Sequence, residues 1–165
     1  MNIHVTDLGA NTANGRLTTA EPQFSKQYRV VYADTDAMGV VYHGKYLEIA
    51  ERSRTEFLRL AGVDPFKSEQ CFDVLMLVNR VRVDYRIPLR LHQVADVSTS
   101  LIKLGTGSAT WRTQIHKDGV LLANVDVLTA CFSRSLNQVV ATPAPLQRML
   151  LNLAGAHTPS PTNLT

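Results

Sequence analysis

The stretch YADTDAMGVVYHGKYLEIAERSRTEFLRLAGV, residues 32–63, passes from strand character to helix character within about a dozen residues, and its reading decides the fold. The preceding KQYRVVYA (26–33) alternates well enough for a strand. From about Gly44 to Ala61 the spacing predicts a helix. Tyr46, Leu47, Ile49, Ala50, Ser53, Phe57, Leu58, Leu60 and Ala61 fall on one broad side at 3.6 residues per turn, with Lys45, Glu48, Arg52, Glu56 and Arg59 opposite. Gly62 is a natural stop, with Pro65 just beyond. A stripe this wide needs cover over about half the girth of the helix, which a sheet wrapped around it would provide. Between strand and helix sit Asp34, Asp36, Gly39 and His43.

Working outward, Asp64 and Pro65 can cap and open a second short helix through Gln70. The pattern then turns to strand. In LVNRVRVDYRI (77–87), Val81, Val83, Tyr85 and Ile87 alternate with Arg80, Arg82, Asp84 and Arg86. DVSTSLIKL (96–104), SATWRTQIHK (108–117) and VLLANVDVLTACFS (120–133) follow, with Lys117-Asp118-Gly119 as a hairpin signal. A weaker strand, QVVATP, precedes a short helix, PLQRMLLNLA (145–154). The order implies an α+β domain with about five antiparallel strands. A single helix leaves sheet edge uncovered, which such proteins often close by forming dimers. Residues 1–23 read as a flexible arm, 24–153 as the domain and 154–165 as a disordered tail.

The whole chain bounds the function. Its 165 residues suit one domain with a real core. A net charge of +3 is too mild to argue for nucleic acid, although it is compatible with an anionic small ligand. No apolar run reaches membrane-spanning length, and the start does not read as a secretory signal. Cys71 and Cys131 lie in apolar contexts and read as reduced core thiols of a cytoplasmic protein. His92, His116 and His157 stand far from any metal-ligating spacing, and neither a G-x-S-x-G elbow nor a phosphate-binding glycine loop occurs. No metal or organic cofactor is expected.

The run Asp34-Thr35-Asp36-Ala37-Met38-Gly39-Val40-Val41-Tyr42-His43-Gly44-Lys45-Tyr46, followed by Glu51-Arg52-Ser53-Arg54-Thr55-Glu56, resembles the hotdog-fold 4-hydroxybenzoyl-CoA thioesterase family. It is most similar to the acyl-CoA thioesterase branch associated with the bacterial Tol–Pal system. Met38 departs from the small residue common at its position. The likeness spans roughly residues 24–150 in element order and is specific over 32–58. It implies a long helix wrapped by an antiparallel sheet, subunits pairing their sheets, active sites at the dimer interface and often a tetramer of two dimers. It further implies hydrolysis of acyl-CoA thioesters, with Asp36 as the catalytic carboxylate, backbone donors near Tyr42 and His43, and the His43 side chain as a polar group on the substrate side.

The residues themselves support such chemistry. Thioester hydrolysis needs an attacking water or carboxylate, stabilisation of an oxyanion, and a departing thiolate. A helix N-terminus supplies unpaired N–H groups and a positive dipole end, and the helix beginning near Gly44 offers them from His43, Gly44 and their neighbours. Gly39 allows a sharp turn, and Gly44 allows close approach to the backbone. Asp36 can attack the carbonyl carbon or activate a water. For an isolated aspartate a turn role is the better reading, and the motif reverses that balance. Asp34 reads as structural, bonding backbone N–H groups. His43 can orient water or shuttle a proton, or serve only as a polar junction residue. Tyr42 and Tyr46 can line an acyl pocket or pack the core.

Glu51 is the rival carboxylate, but its spacing to Arg54 suits a structural ion pair. Arg80, Arg82, Arg86, Lys103 and Arg112 are open candidates for coenzyme A phosphates, with a solvated sheet face the preferred reading. A short or medium aliphatic acyl-CoA is the favoured substrate class, and an aromatic acyl-CoA such as hydroxybenzoyl or dihydroxynaphthoyl is the alternative. A hotdog dehydratase and a non-catalytic acyl-thioester binding protein are the remaining readings.

Overall fold

A computed structural model of the chain describes residues 22–60 and 62–155. The expected arm up to residue 21, Ala61 and the tail from residue 156 lie outside them. Strand β1 (Phe24–Arg29) is followed by a one-turn 3-10 helix (Tyr32–Asp34) and the long helix α1 (Lys45–Leu60). Helix α2 (Pro65–Phe72) comes next, then strands β2 (Val74–Tyr85), β3 (Val94–Leu104), β4 (Ser108–Lys117), β5 (Val120–Ser133) and β6 (Gln138–Val139), and finally helix α3 (Ala144–Gly155). The sheet is antiparallel throughout, in the order β1-β3-β4-β5-β2, with β6 pairing the end of β5. One long helix is laid on the inner face of this sheet, which is the α+β hotdog arrangement.

The inner face of α1 buries Tyr46, Ile49, Ala50, Ser53, Arg54, Phe57 and Leu58. Leu47 and Leu60, expected on that stripe, lie exposed at its margins. The helix stops at Gly62, whose φ of +74° is the left-handed conformation that glycine adopts at least cost. There the Gly62 N–H bonds the Arg59 carbonyl at 3.0 Å and the Val63 N–H bonds the Leu58 carbonyl at 2.9 Å, the two bonds of a Schellman stop.

Phe57 fixes the helix on the sheet. Its ring stacks on Phe24 of β1 at 5.7 Å and meets Trp111 of β4 edge-on at 6.4 Å. Burying such a ring contributes about 1.5–3 kcal/mol. Beside it runs a buried line of hydroxyls. Ser53 lies 2.7 Å from Thr99 of β3, and Thr99 lies 2.9 Å from Thr113 of β4. Each hydroxyl satisfies the next, so none incurs the roughly 1–3 kcal/mol of an unpaired buried polar group.

Two expectations for the strands change in detail. The strand expected over 26–33 ends at Arg29, because the Asp34 carboxylate accepts the Val31 N–H at 2.9 Å and draws the chain into a turn. The strand read from Leu77 begins at Val74, and a bulge falls between Val78 and Arg80. That extra residue accounts for the three-residue step from Val78 to Val81 in the apolar pattern, since both still face the side that carries α1. Asp118 and Gly119 both have positive φ, the signature of the tight turn joining β4 to β5.

The C-terminal helix forms as expected and buries Leu146, Leu150 and Leu153. Gln23, counted with the arm in sequence, is buried instead. Its side chain accepts the Leu101 N–H at 2.8 Å and donates to the Ala154 carbonyl at 3.2 Å, which ties β3 to the end of α3.

Candidate active site

The site region begins where the chain leaves β1. Val30 exchanges backbone hydrogen bonds with the loop at His92 and Gln93, and the 3-10 turn then delivers Asp34 inward. Asp34 is buried and takes the structural part expected of it. Its carboxylate holds the Val31 N–H and bonds Tyr28, while its main-chain carbonyl accepts the Tyr42 N–H at 2.9 Å. Burial, and then the neighbouring Asp34 carboxylate, push the Tyr28 phenol up to about 12.

Asp36 opens a tight three-residue loop. Thr35 bridges Val41, and the Asp36 N–H bonds the Val40 carbonyl at 2.9 Å. The Gly39 N–H returns to the Asp36 carbonyl at 3.0 Å, and Gly39 has φ +71° with nothing within 4 Å of where a Cβ would stand. Glycine is required at Gly39 for the backbone angle, not for space. The Asp36 side chain accepts the Met38 N–H through Oδ1 at 2.8 Å, the usual aspartate turn bond. Asp36 is exposed, and among the described residues its Oδ2 has no hydrogen-bond partner. The turn role and an available carboxylate oxygen therefore coexist on one side chain.

The second arm of this hairpin runs into α1. Val41 is held by the Leu89 carbonyl at 2.7 Å, and Val40 bridges Arg90, so the loop after β2 clamps the hairpin. Leu89 is in turn fixed by its N–H, which donates to the Tyr46 hydroxyl at 3.1 Å. Tyr46 is thus a buried structural residue, as its packing reading held. At the helix entrance the Lys45 N–H bonds the Tyr42 carbonyl at 2.8 Å and the Leu47 N–H bonds the Gly44 carbonyl at 3.1 Å. The N–H groups of His43 and Gly44 have no acceptor among the described residues. Tyr42 and His43 are both exposed, with ring centroids 4.2 Å apart. A Cβ on Gly44 would stand 2.8 Å from Cε1 of Tyr42, so the space its missing side chain leaves is filled by the Tyr42 ring.

Tyr42, His43 and Gly44 are therefore brought together at the start of α1, while Asp36 and Gly39 form the neighbouring hairpin tip. No hydrogen bond joins Asp36 to His43 among the described residues. His43 lies three residues beyond Val40, the partner of Asp36, or roughly 10 Å of extended chain. Glu51 is bonded by the Arg54 guanidinium, as its spacing suggests. An open groove of about 400 Å³, lined by Lys26, Glu51, Arg52, Thr55, Glu56 and Arg59, lies further along the helix and away from its N-terminus.

The basic candidates on the sheet divide. Arg112 makes a two-pronged bond to Asp126 at 2.8 and 2.7 Å. Burial alone would raise the Asp126 carboxyl, but Arg112 holds it below its ordinary value. Arg82 pairs with Asp84 at 3.2 Å, and Arg80, Arg86 and Lys103 are exposed.

The residue that sequence reasoning passed over is Tyr85. It was one apolar position in the alternation of β2, yet its hydroxyl donates to the His43 carbonyl at 2.9 Å. Its ring meets Tyr46 edge-on at 5.2 Å. Burial, followed by the neighbouring Tyr46 and Tyr42, raises the Tyr85 phenol, which keeps it a protonated donor at neutral pH. No local spacing links residues 43 and 85; only the fold does.

Comparison with known proteins agrees with this architecture. The acyl-CoA thioesterase YbgC of Haemophilus influenzae is 30% identical over 120 residues, covering 73% of this chain and 88% of that protein. The crystal structure of hypothetical protein TT1821 from Thermus thermophilus superposes with a TM-score of 0.70 at 30% identity, covering 79% of this chain and 98% of that one. Slr0204, a 1,4-dihydroxy-2-naphthoyl-CoA thioesterase from Synechocystis, shares the fold at a TM-score of 0.71 and 19% identity, with 79% and 96% of the two chains covered. The Thioesterase-like superfamily matches residues 30–150, from the end of β1 into α3, and the chain belongs to that family.

Proposed function

We propose that this protein hydrolyses an acyl-CoA thioester to the free acid and coenzyme A at the junction of the Asp36 hairpin with α1. The observation that carries the reading is that one short hairpin presents an available carboxylate oxygen on Asp36 and then, at a helix N-terminus, N–H groups of His43 and Gly44 that have no acceptor among the described residues. The relative named as an acyl-CoA thioesterase supports the same chemistry. In this reading the N–H groups and the helix dipole stabilise the oxyanion that forms as the carbonyl carbon is attacked. Asp36 either takes a proton from the attacking water or attacks directly, giving an anhydride that water then opens. The C–S bond breaks, the thiolate leaves, and a proton returns to it; His43, exposed beside the entrance, serves as the polar group on the substrate side.

The acyl group is read as short or medium aliphatic, supported by the Tyr42-His43 pair shared with the Tol–Pal branch. A homodimer or tetramer belongs to the same reading. Strand β2 is a sheet edge and leaves Val78, Val81 and Tyr85 exposed, as is Ile87 just beyond it, a face that a second subunit would cover. So does a cytoplasmic location: Cys131 is a buried thiol, whereas Cys71, expected in the core, is exposed, and a reducing compartment keeps such a thiol free.

The test is thiol release from a panel of aliphatic and aromatic acyl-CoAs by wild type and Asp36→Asn. Asparagine retains an Oδ1 acceptor for the Met38 N–H and so preserves the turn, while removing the carboxylate. The expected loss is at least ~100-fold. Equal turnover by both proteins would place the chemistry on another residue, and no turnover of any acyl-CoA by wild type would overturn the hydrolase reading.

A further inference from the structure

We propose that Tyr85 is a positioning residue for catalysis: its hydroxyl, held at 2.9 Å from the His43 carbonyl, aims and polarises the Gly44 N–H at the helix entrance. The inference rests on the function proposed above. A trans peptide is planar, with its C=O and N–H pointing in opposite directions. The His43 carbonyl and the Gly44 N–H belong to one such plane. A donor fixed on the oxygen therefore fixes where the N–H points, away from Tyr85. It also draws electron density toward the oxygen and makes the N–H a better donor, as bonds in a chain reinforce one another.

The neighbouring plane is set by a different bond. The Lys45 N–H holds the Tyr42 carbonyl at 2.8 Å, and the His43 N–H shares that peptide. Two pinned planes define the backbone at His43 and with it the direction in which its Cα–Cβ bond leaves the chain. Only one of the two pins comes from within the helix entrance; Tyr85 delivers the other from the end of β2. Its own ring is braced edge-on by Tyr46 at 5.2 Å, and Tyr46 is anchored by the Leu89 N–H at 3.1 Å. The donor is thus carried on a strand of the sheet and not on a free loop, as accurate positioning requires.

Tyr85→Phe keeps the ring and removes the donor. The expected result is a fall of about fivefold to tenfold in kcat with KM within about twofold of wild type, the size of one lost neutral hydrogen bond acting in the transition state. In an amide NMR spectrum the Gly44 15N resonance should move while those in the middle of α1 stay in place. A purely structural role would lower the melting temperature, leave kcat per folded molecule unchanged and leave Gly44 where it was; that result overturns the proposal. So does a loss of activity carried by KM alone. If wild type releases thiol and Tyr85→Phe matches it in kcat, the positioning role fails while the hydrolase reading stands. If wild type hydrolyses no acyl-CoA, the hydrolase reading falls and takes the oxyanion role of Tyr85 with it.

Discussion

Removing Glu51 should destabilise the protein without stopping its chemistry, and the reason lies in Arg54. The Arg54 side chain is only 9% exposed and sits on the inner stripe of α1, while Glu51, which receives one of its nitrogens, is 55% exposed. The second terminal nitrogen, Nη1, is buried with no hydrogen-bond partner among the described residues. Breaking a fully buried ion pair by deleting one member costs about 3–5 kcal/mol. Glu51 is half in water, so its share of the attraction is screened, and Glu51→Ala should cost about 2 kcal/mol.

Arg54→Met removes both the buried charge and the unpartnered nitrogen and should stay within about 1 kcal/mol of wild type. The double variant should then be no worse than Arg54→Met alone, a coupling of about 2 kcal/mol. Urea unfolding with unchanged slopes measures all three. Thiol release per folded molecule should match wild type in each. Additive losses would refute the ion-pair account. A ~100-fold loss of thiol release in a folded Glu51→Ala would make Glu51, in place of the proposed Asp36, the catalytic carboxylate.

Two further outcomes follow from the same coordinates. The folded chain holds the Tyr28 proton up to about 12, whereas an unfolded tyrosine releases it near pH 10. Between those values the folded state binds more protons, so stability is fully present below pH ~10 and declines towards pH ~12. Two pH units correspond to ~2.7 kcal/mol at most, and partial exposure of the ring reduces this to about 1 kcal/mol. Tyr28→Phe should lose that slope relative to wild type in alkaline urea melts, and parallel curves would refute it. Sedimentation at micromolar concentration should give a dimer or tetramer of the 18.3 kDa chain, and Val81→Glu on the exposed edge should shift it towards monomer; a monomeric wild type would overturn the oligomer reading.

What could be read from sequence was what depends on local periodicity. The stripe of α1, the Gly62 stop, the Asp118-Gly119 hairpin and the four long strands each obey a rule that acts within a few residues. The strand ends were less legible, because they depend on side chains that reach across the fold. Asp34 ends the extended run by capturing Val31, and a single bulge at Asn79 re-phases β2. At the candidate site, Asp36, Gly39, Tyr42, His43 and Gly44 could be singled out together because one continuous hairpin carries them. Tyr85 was not, since its bond to His43 spans 42 residues and exists only once β2 and α1 are packed together. Arg54 lay between: its spacing to Glu51 was legible, but its unpartnered nitrogen was not.

The two aspartates of the motif differ in a way that lets a turn role and the proposed catalytic role share one side chain. A carboxylate has two oxygens. Asp34 is buried, bonded to the Val31 N–H and to Tyr28, and faces no solvent through which a substrate could arrive. Asp36, two residues on, bonds only the Met38 N–H among the described residues, through one oxygen, at the exposed tip. That bond restricts the rotamers open to the side chain and so the directions open to its second oxygen. In the proposed mechanism, part of the entropy that a free surface aspartate would lose on reaching a transition state is already lost in forming the turn. In that mechanism the tight glycine loop supplies a turn-bonded carboxylate, the helix N-terminus that follows supplies N–H donors, and Tyr85, from the sheet, adds the constraint that the hairpin lacks.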